Sequence, residues 1–282
     1  MNNLVEIDNL KVSFRQDDGS YNDAVRGVSW SLGREKLGIV GESGSGKSLT
    51  GRALLGVLPP YARMSVDRMS FDGLDLKSAT PRVRRSLRGG RMGMILQDPK
   101  FSLNPVMQVG HQIMEAIRIG DRRVGRAEAK KRALAMLEQV HIREPERVFG
   151  LYPHELSGGM GQRVMIAMMV VREPDLLVAD EPTSALDVTV RLQVLSILDE
   201  LVTRRGMGLI LISHDLNLVS RFCDRILVMY AGRVVESLEA RKLHEAKHPY
   251  TRGLLSCLPS IDGSLGPLPV LNRDASWAEA VP

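Results

Sequence analysis

Gly41-Glu42-Ser43-Gly44-Ser45-Gly46-Lys47-Ser48 places Gly, four residues, Gly, Lys and Ser in succession, the pattern of a phosphate-binding loop. Each residue type has a physical reason to be there. The glycines let the backbone turn tightly and approach oxygen atoms that a Cβ would hold off. Successive amides then converge on one anion, and a helix starting near Lys47 adds the positive end of its dipole. Lys47 is suited to bridge β- and γ-phosphates, and the Ser48 hydroxyl to bind Mg²⁺. Working outward, Lys36-Leu-Gly-Ile-Val40 reads as a short apolar strand and Ser48–Leu58 as a helix. A Gly/Ser-rich surface turn would need neither flank; strand, loop and helix is the context the motif requires.

The chain has 282 residues, which suits one large α/β domain with additions or two small domains. Hydrophobic residues make up 44%, enough for a sizeable core, while aromatics at 4% argue against a surface built for base stacking. The net charge of +5 fits scattered surface Lys and Arg, or a basic face toward anionic lipid or nucleic acid; composition does not separate the two. Two cysteines, Cys223 and Cys257, have no metal-ligand spacing and form no disulfide framework, so a reduced, cytosolic setting is expected. The N-terminal residues Met1–Asp8 lack a basic region followed by an apolar run, and no secretory signal is expected. The longest apolar run, Val164–Val171, is far short of the roughly 20 residues of a membrane span, so any membrane role is expected to be peripheral.

Along the chain, Leu4–Phe14 alternates as a strand, Asp17–Ser20 is a turn, and Val28–Leu32 is a second strand. Pro59-Pro60 stops the loop helix, and Met64–Phe71 reads as one strand closed by Asp72-Gly73. Thr80-Pro81 has the form of an N-cap with a first-turn proline, opening a helix whose Arg82, Arg84, Arg85 and Arg88 form a solvated face. Met92–Leu96 is a buried-type strand ending at Gln97. Val109–Val140 is helical with polar breaks around Gly120–Gly125 and interrupts the strand-and-helix order, as an inserted subdomain would. A helix follows Leu156-Ser-Gly-Gly-Met160, its Met165, Met168 and Met169 serving as core filler. Leu176–Ala179 and Leu209–Ser213 are buried strands, separated by an amphipathic helix from Val188 to Arg205 that Gly206 closes. Arg225–Tyr230 and Arg233–Glu236 form a hairpin around Ala231-Gly232. Apolar strands alternating with helices indicate a mostly parallel sheet. The last forty or so residues, rich in Pro and Gly, read as an appended segment.

Asp180-Glu181 ends an apolar strand, where open α/β sheets bind ligands. Asp180 is placed to hold Mg²⁺ directly or through water, and Glu181 to polarise water for attack on a γ-phosphate. Adjacent acids at a strand end are often only solvated; a phosphate loop in the same chain gives them chemistry to do.

The order Gly41–Ser48, Gln97, Leu156-Ser-Gly-Gly-Met160, Leu176–Glu181, Ser184-Ala-Leu-Asp187 and His214 resembles the nucleotide-binding subunits of ABC transporters, across about residues 4–236. The resemblance implies an α/β P-loop NTPase (RecA-like) core with an antiparallel β subdomain and an inserted α-helical subdomain. It places the cassette at 1–240, the helical insertion at about 98–170 and a C-terminal extension at 241–282. It implies ATP and Mg²⁺ as cofactors, with two cassettes facing head to tail and each ATP lying between the phosphate loop of one and the signature of the other. Gly41, Ser43, Gly44, Ser45, Gly46, Lys47, Ser48 and Leu49 would then hold the phosphates. The partner's counterparts of Ser157, Gly158 and Gly159 would close over them. Ser157, as an N-cap with two following glycines, exposes amides and a hydroxyl suited to an anion. By the same resemblance Ser48, Gln97 and Asp180 are Mg²⁺ ligands, and Gln97 also signals to the membrane subunits. His214 holds the γ-phosphate and orients Glu181, and Asp187 crosses the dimer interface. Phe14 is the expected stacking partner of the adenine, with Tyr21 the other choice.

Finer matches resemble the dipeptide, oligopeptide and nickel importers: Gln97-Asp98-Pro99, Ser102-Leu-Asn-Pro105, Gln162-Arg163-Val164 and His248-Pro-Tyr-Thr-Arg-Gly-Leu-Leu255. The Met160 form is similar to a D-type cassette. The implied partners are a second cassette (F-type or identical), two integral membrane permeases and, through them, a periplasmic or extracellular solute-binding protein. The implied location is the cytoplasmic face of the inner membrane. Gly161 stands where Arg is common in that branch, and the stretch Leu268–Trp277 carries no cysteines, so no iron–sulfur cluster is expected. Relatives that act on DNA or ribosomes usually carry zinc cysteines, coiled-coil insertions or paired cassettes; none is visible, and no nucleic-acid partner is expected.

Overall fold

The computed structural model describes residues 3–98, 102–184, 186–257, 274 and 277. The last forty residues, read above as an appended segment without a cysteine cluster, therefore lie largely outside the described residues, as do Pro99 and Ala185. In chain order the elements are β1 Val5–Arg15, β2 Tyr21–Leu32, β3 Lys36–Val40, α1 Lys47–Leu55, β4 Ala62–Ser65, β5 Arg68–Phe71 and β6 Leu74–Asp75. Then come α2 Pro81–Leu87, β7 Met92–Ile95, α3 Val109–Gly120, α4 Arg126–Gln139, α5 Pro145–Phe149, α6 Gly158–Val170, β8 Leu176–Asp180 and α7 Val188–Arg205. β9 Gly208–Ser213, α8 Leu216–Phe222, β10 Arg225–Tyr230, β11 Arg233–Glu239 and α9 Pro249–Ser256 follow. The described residues form two compact units, one from Met1–Ala79 with Ile210–Pro282 and one from Thr80–Leu209.

The first unit holds an antiparallel sheet in the order β2-β1-β5-β6, with β4 also paired to β1. Val5 and Ile7 are buried, but so are Leu10 and Val12, which have the opposite parity. Asn9 resolves the conflict by taking a left-handed φ of 51° at an irregularity in the β1–β2 register between Ile7 and Leu10. The same bulge divides the partner on the other edge. The strand expected over Met64–Phe71 is two strands, β4 on Lys11–Phe14 and β5 on Val5–Asp8. The Asn9 side chain donates to the Asp67 carboxylate between them at 2.8 Å. Helix α1 ends earlier than Pro59-Pro60, because Gly56 adopts φ 64° and its N–H caps the carbonyls of Arg52 and Ala53.

This unit also holds the neighbouring strands β11-β10-β3-β9, of which β9 contributes Ile210–Ser213. β10 runs parallel to β3 and antiparallel to β11 through a hairpin in which Ala231 and Gly232 both have positive φ, 46° and 83°. Leu37–Val40, Ile210–Ser213 and Ile226–Met229 are buried without alternation, as strands covered on both faces should be. Gly38 lets α8 approach β3: a Cβ there would overlap Val219 and lie 3.3 Å from the Cys223 sulfur. Burial pushes the Cys223 thiol pKa far up, helped by neighbouring Asp224, and keeps it an unreactive core group.

In the second unit β7 and β8 pair in parallel, and helices α3 to α6 surround a core that includes Val109, Ile113, Ala133, Leu137 and Val164. Thr80 caps α2 as expected, its hydroxyl accepting from the Val83 amide at 3.4 Å. The short α5 opens with Pro145 in its first turn and carries Phe149 to the face of α3, where Gly110 leaves room for the ring. Helix α7 buries Val194, Leu195, Ile197, Leu198, Leu201 and Val202 along one side and stops at Gly206, φ 58°.

Candidate active site

The glycine loop follows β3 directly. Gly41, Gly44 and Gly46 have φ of 151°, 82° and 96°. A Cβ on Gly41 would overlap the Met229 carbonyl of β10, and one on Gly46 would lie 2.8 Å from the Ala24 carbonyl of β2. The loop is therefore seated on neighbouring backbone at both ends, while Ser43 and Gly44 stay exposed between them. Lys47 is only 5% exposed. Its ammonium donates to the carbonyls of Gly41 at 2.8 Å and Glu42 at 2.7 Å, with the Ser45 hydroxyl at 3.5 Å. Gly46 is the N-cap of α1 in a left-handed conformation and, being glycine, puts no capping side chain over the helix start. Ser48 and Leu49 are half-buried on that first turn.

Adjacent strands β3 and β9 end in the loop and in His214 respectively. The His214 side chain is exposed, and Asp215, next to it, caps α8 by accepting from the Leu218 amide at 3.0 Å. Phe14 is half-buried at the end of β1, with Tyr61 5.9 Å away between ring centroids. One face of Tyr21, the other base-stacking choice, is covered by the Arg63 guanidinium at 3.7 Å.

The parallel β7–β8 register, with Ile95 opposite Ala179, brings Gln97 and the Asp180-Glu181 pair out at the same end of the second unit. Asp180 is 4% exposed. Glu181 has a φ of 47°, a sparsely populated backbone state for a residue with a side chain, and its carbonyl accepts from the Ser184 hydroxyl at 3.2 Å. Ser157 caps α6, its hydroxyl accepting from the Met160 amide at 3.3 Å. Gly158 lies open, whereas a Cβ on Gly159 would sit 2.6 Å from Val190. The start of α6 thus rests on α7, whose own cap is Asp187, accepting from the Val190 amide at 2.9 Å. Gly161 lines a hollow of about 510 Å³ with Leu103, Pro105 and Leu156.

Sequence reasoning passed over two contributors to the loop. The Glu42 amide donates to the Tyr250 phenol at 3.0 Å, and the Ser45 carbonyl accepts from the Gly232 amide at 3.2 Å. The pattern around His248–Leu255 was visible, but nothing local connects it to Glu42, 208 residues away.

The ABC transporter family profile matches residues 25–184, more than half of the chain. The dipeptide transport ATP-binding protein DppD of Escherichia coli is 45% identical over 258 residues, 91% of this chain and 78% of that protein. The oligopeptide transport ATP-binding protein OppD of Mycobacterium bovis is 44% identical over 268 residues, 94% of this chain and 44% of that protein. Among solved structures, a dimeric ATP-binding cassette in a post-hydrolysis state with ADP and Pi superposes with a TM-score of 0.75 at 25% identity, covering 84% of this chain and 99% of that one. With the phosphate loop, the capped Ser-Gly-Gly helix and the strand-end acid pair in place, these likenesses have one reading: the chain belongs to the ABC transporter family, as an ATP-binding and ATP-hydrolysing cassette.

Proposed function

We propose that this cassette powers import of peptides, or of a related small solute such as nickel, through a membrane ABC transporter. The relatives named for dipeptide and oligopeptide transport support the cargo class. The observation that carries the ATP chemistry is the buried Lys47, held among the carbonyls of its own glycine loop at the start of α1. An ammonium so placed has donors to offer β- and γ-phosphates, and the glycine amides supply the rest of the cradle.

The oxygen donors of Ser48, Gln97 and the buried Asp180 suit a hard cation such as Mg²⁺, which when bound neutralises charge on the phosphates. Gly41, Ser43, Gly44, Ser45, Gly46 and Leu49 line or flank the phosphate cradle. Glu181 accepts the proton of the attacking water. His214 contacts the γ-phosphate, and Phe14 stacks on the adenine. Ser157, Gly158 and Gly159 offer the capped helix start to the ATP of a second cassette, F-type or identical, and Asp187 lies at the same interface. Val188 and Leu192, 69% and 62% exposed one turn apart just after Asp187, support a dimer contact there. Among the described residues no helix is long and apolar enough to cross a membrane, so translocation falls to two permease subunits, with the cassette at the cytoplasmic face and a solute-binding protein delivering cargo. The cassette is assigned to 1–240, with its helical insertion at about 98–170 and the extension beyond 240.

Glu181→Gln tests the hydrolytic role. ATP affinity should stay within about twofold while turnover falls at least about 100-fold, the usual worth of a general base, and the ATP-loaded dimer should accumulate in light scattering. Wild-type turnover would remove Glu181 from that role.

A further inference from the structure

We propose that α9 is a positioning element of the nucleotide site, acting through the Tyr250 phenol on the phosphate loop; this rests on the assignment of Gly41–Ser48 to the ATP phosphates. Tyr250 is fully buried. Its hydroxyl accepts a 3.0 Å hydrogen bond from the Glu42 amide. That N–H belongs to the same peptide group as the Gly41 carbonyl, which accepts from Lys47 at 2.8 Å. One peptide plane is thus gripped on both edges, by Lys47 on its oxygen and by Tyr250 on its nitrogen. The plane needs holding. Gly41 has no side chain to restrict rotation about its bonds and sits at φ 151°. A flip of the 41–42 peptide would turn the carbonyl away from Lys47 and aim a different set of dipoles at the phosphates.

Tyr250 is itself fixed from several sides. Its ring lies 4.5 Å from that of Tyr230, the last residue of β10, and 6.2 Å from Trp277. Its amide donates to His248 Nδ1 at 3.2 Å, in the first turn of α9. The chain entering α9 is tied to β11, where Glu236 Oε1 accepts from the amides of Lys247 at 2.6 Å and His248 at 3.3 Å. If packing alone were needed, phenylalanine would serve at this buried position; the hydroxyl adds a directional acceptor and would be costly to bury without its partner.

Tyr250→Phe removes one oxygen and keeps the ring. In the full-length chain we expect the Kd for a fluorescent ATP analogue and the KM for ATP to rise about five- to tenfold, the equivalent of one net hydrogen bond, with kcat changed less than about twofold. Exchange of the Glu42 amide with deuterium reads the bond directly and should accelerate at least about tenfold in the variant. Unchanged affinity overturns the proposal even if the melting temperature falls, since that is what a merely structural tyrosine would do; unchanged Glu42 exchange overturns it as well. Lys47→Ala, assayed in parallel, separates the two levels. Loss of binding in Lys47→Ala with normal binding in Tyr250→Phe rejects the strut alone. Normal binding in Lys47→Ala rejects the phosphate-loop assignment beneath it.

Discussion

Burying an ammonium without hydrogen-bond acceptors costs several kcal/mol, so the conformation of Lys47 depends on the carbonyls that its own loop turns inward. Those carbonyls are available because Gly41 takes a φ of 151° against the backbone of β10. Gly41→Ala would push a methyl into the Met229 carbonyl, and β10 cannot retreat while Leu227 and Val228 stay in register with Ile39 and Val40 of β3. We expect a loss of about 3 kcal/mol in urea denaturation, with nucleotide binding lost in step. Gly44 is the contrast. A Cβ there would meet no atom within 4 Å and would have only the φ of 82° to strain against, so Gly44→Ala should cost about 1 kcal/mol. Both outcomes follow from one residue type in one loop, and the eight-residue motif does not distinguish them. The seating of Gly41 against β10 is a tertiary fact.

At the level of elements, caps and turns were the legible features. Thr80 and Ser157 each accept from an amide three residues on, and Gly206 closes α7 in a left-handed conformation. These are contacts between near neighbours, so residue order is enough to announce them. The split of β4 from β5 was not legible, because it answers to a bulge at Asn9 in a different strand. Nor was α9, whose cap is an imidazole. Burial lowers the His248 pKa below the ordinary histidine value, outweighing the opposing pull of Glu236, the acidic group beside it. The unfolded chain therefore binds a proton near pH 6.5 that the folded chain resists, and stability should fall as pH drops through about 6.5 and level off below the folded value. Protonation also turns Nδ1 from acceptor to donor and breaks its bond to the Tyr250 amide. His248→Asn keeps a capping acceptor without the titration and should flatten this limb in urea midpoints measured between about pH 5 and 7.

At the level of the whole molecule, the question is what a single chain leaves uncovered. Val188 and Leu192 are apolar, exposed and one turn apart on α7. The start of α6 rests on the same helix at Val190. Surface leucines and valines occur singly without meaning, but a pair beside the capped start of α6 has a use if a second cassette closes there. Replacing both with Glu, in the Glu181→Gln background, should abolish the ATP-dependent dimer in light scattering while leaving the melting temperature of the monomer within about 2 °C, since neither side chain is in the core. A dimer that persists would place the interface elsewhere.

Residue order by itself determined the phosphate loop, the signature cap, the acid pair at a strand end and the family to which they belong, because each is a short-range pattern whose chemistry is complete within a few residues. The tertiary structure alone decided what holds that loop in shape. The peptide joining Gly41 to Glu42 is gripped by Lys47 six residues from the glycine and by Tyr250 from 208 residues beyond Glu42. A hydrogen bond across that separation leaves no periodicity or spacing to read; it exists only once β10, β11 and α9 have folded and brought the phenol to the amide.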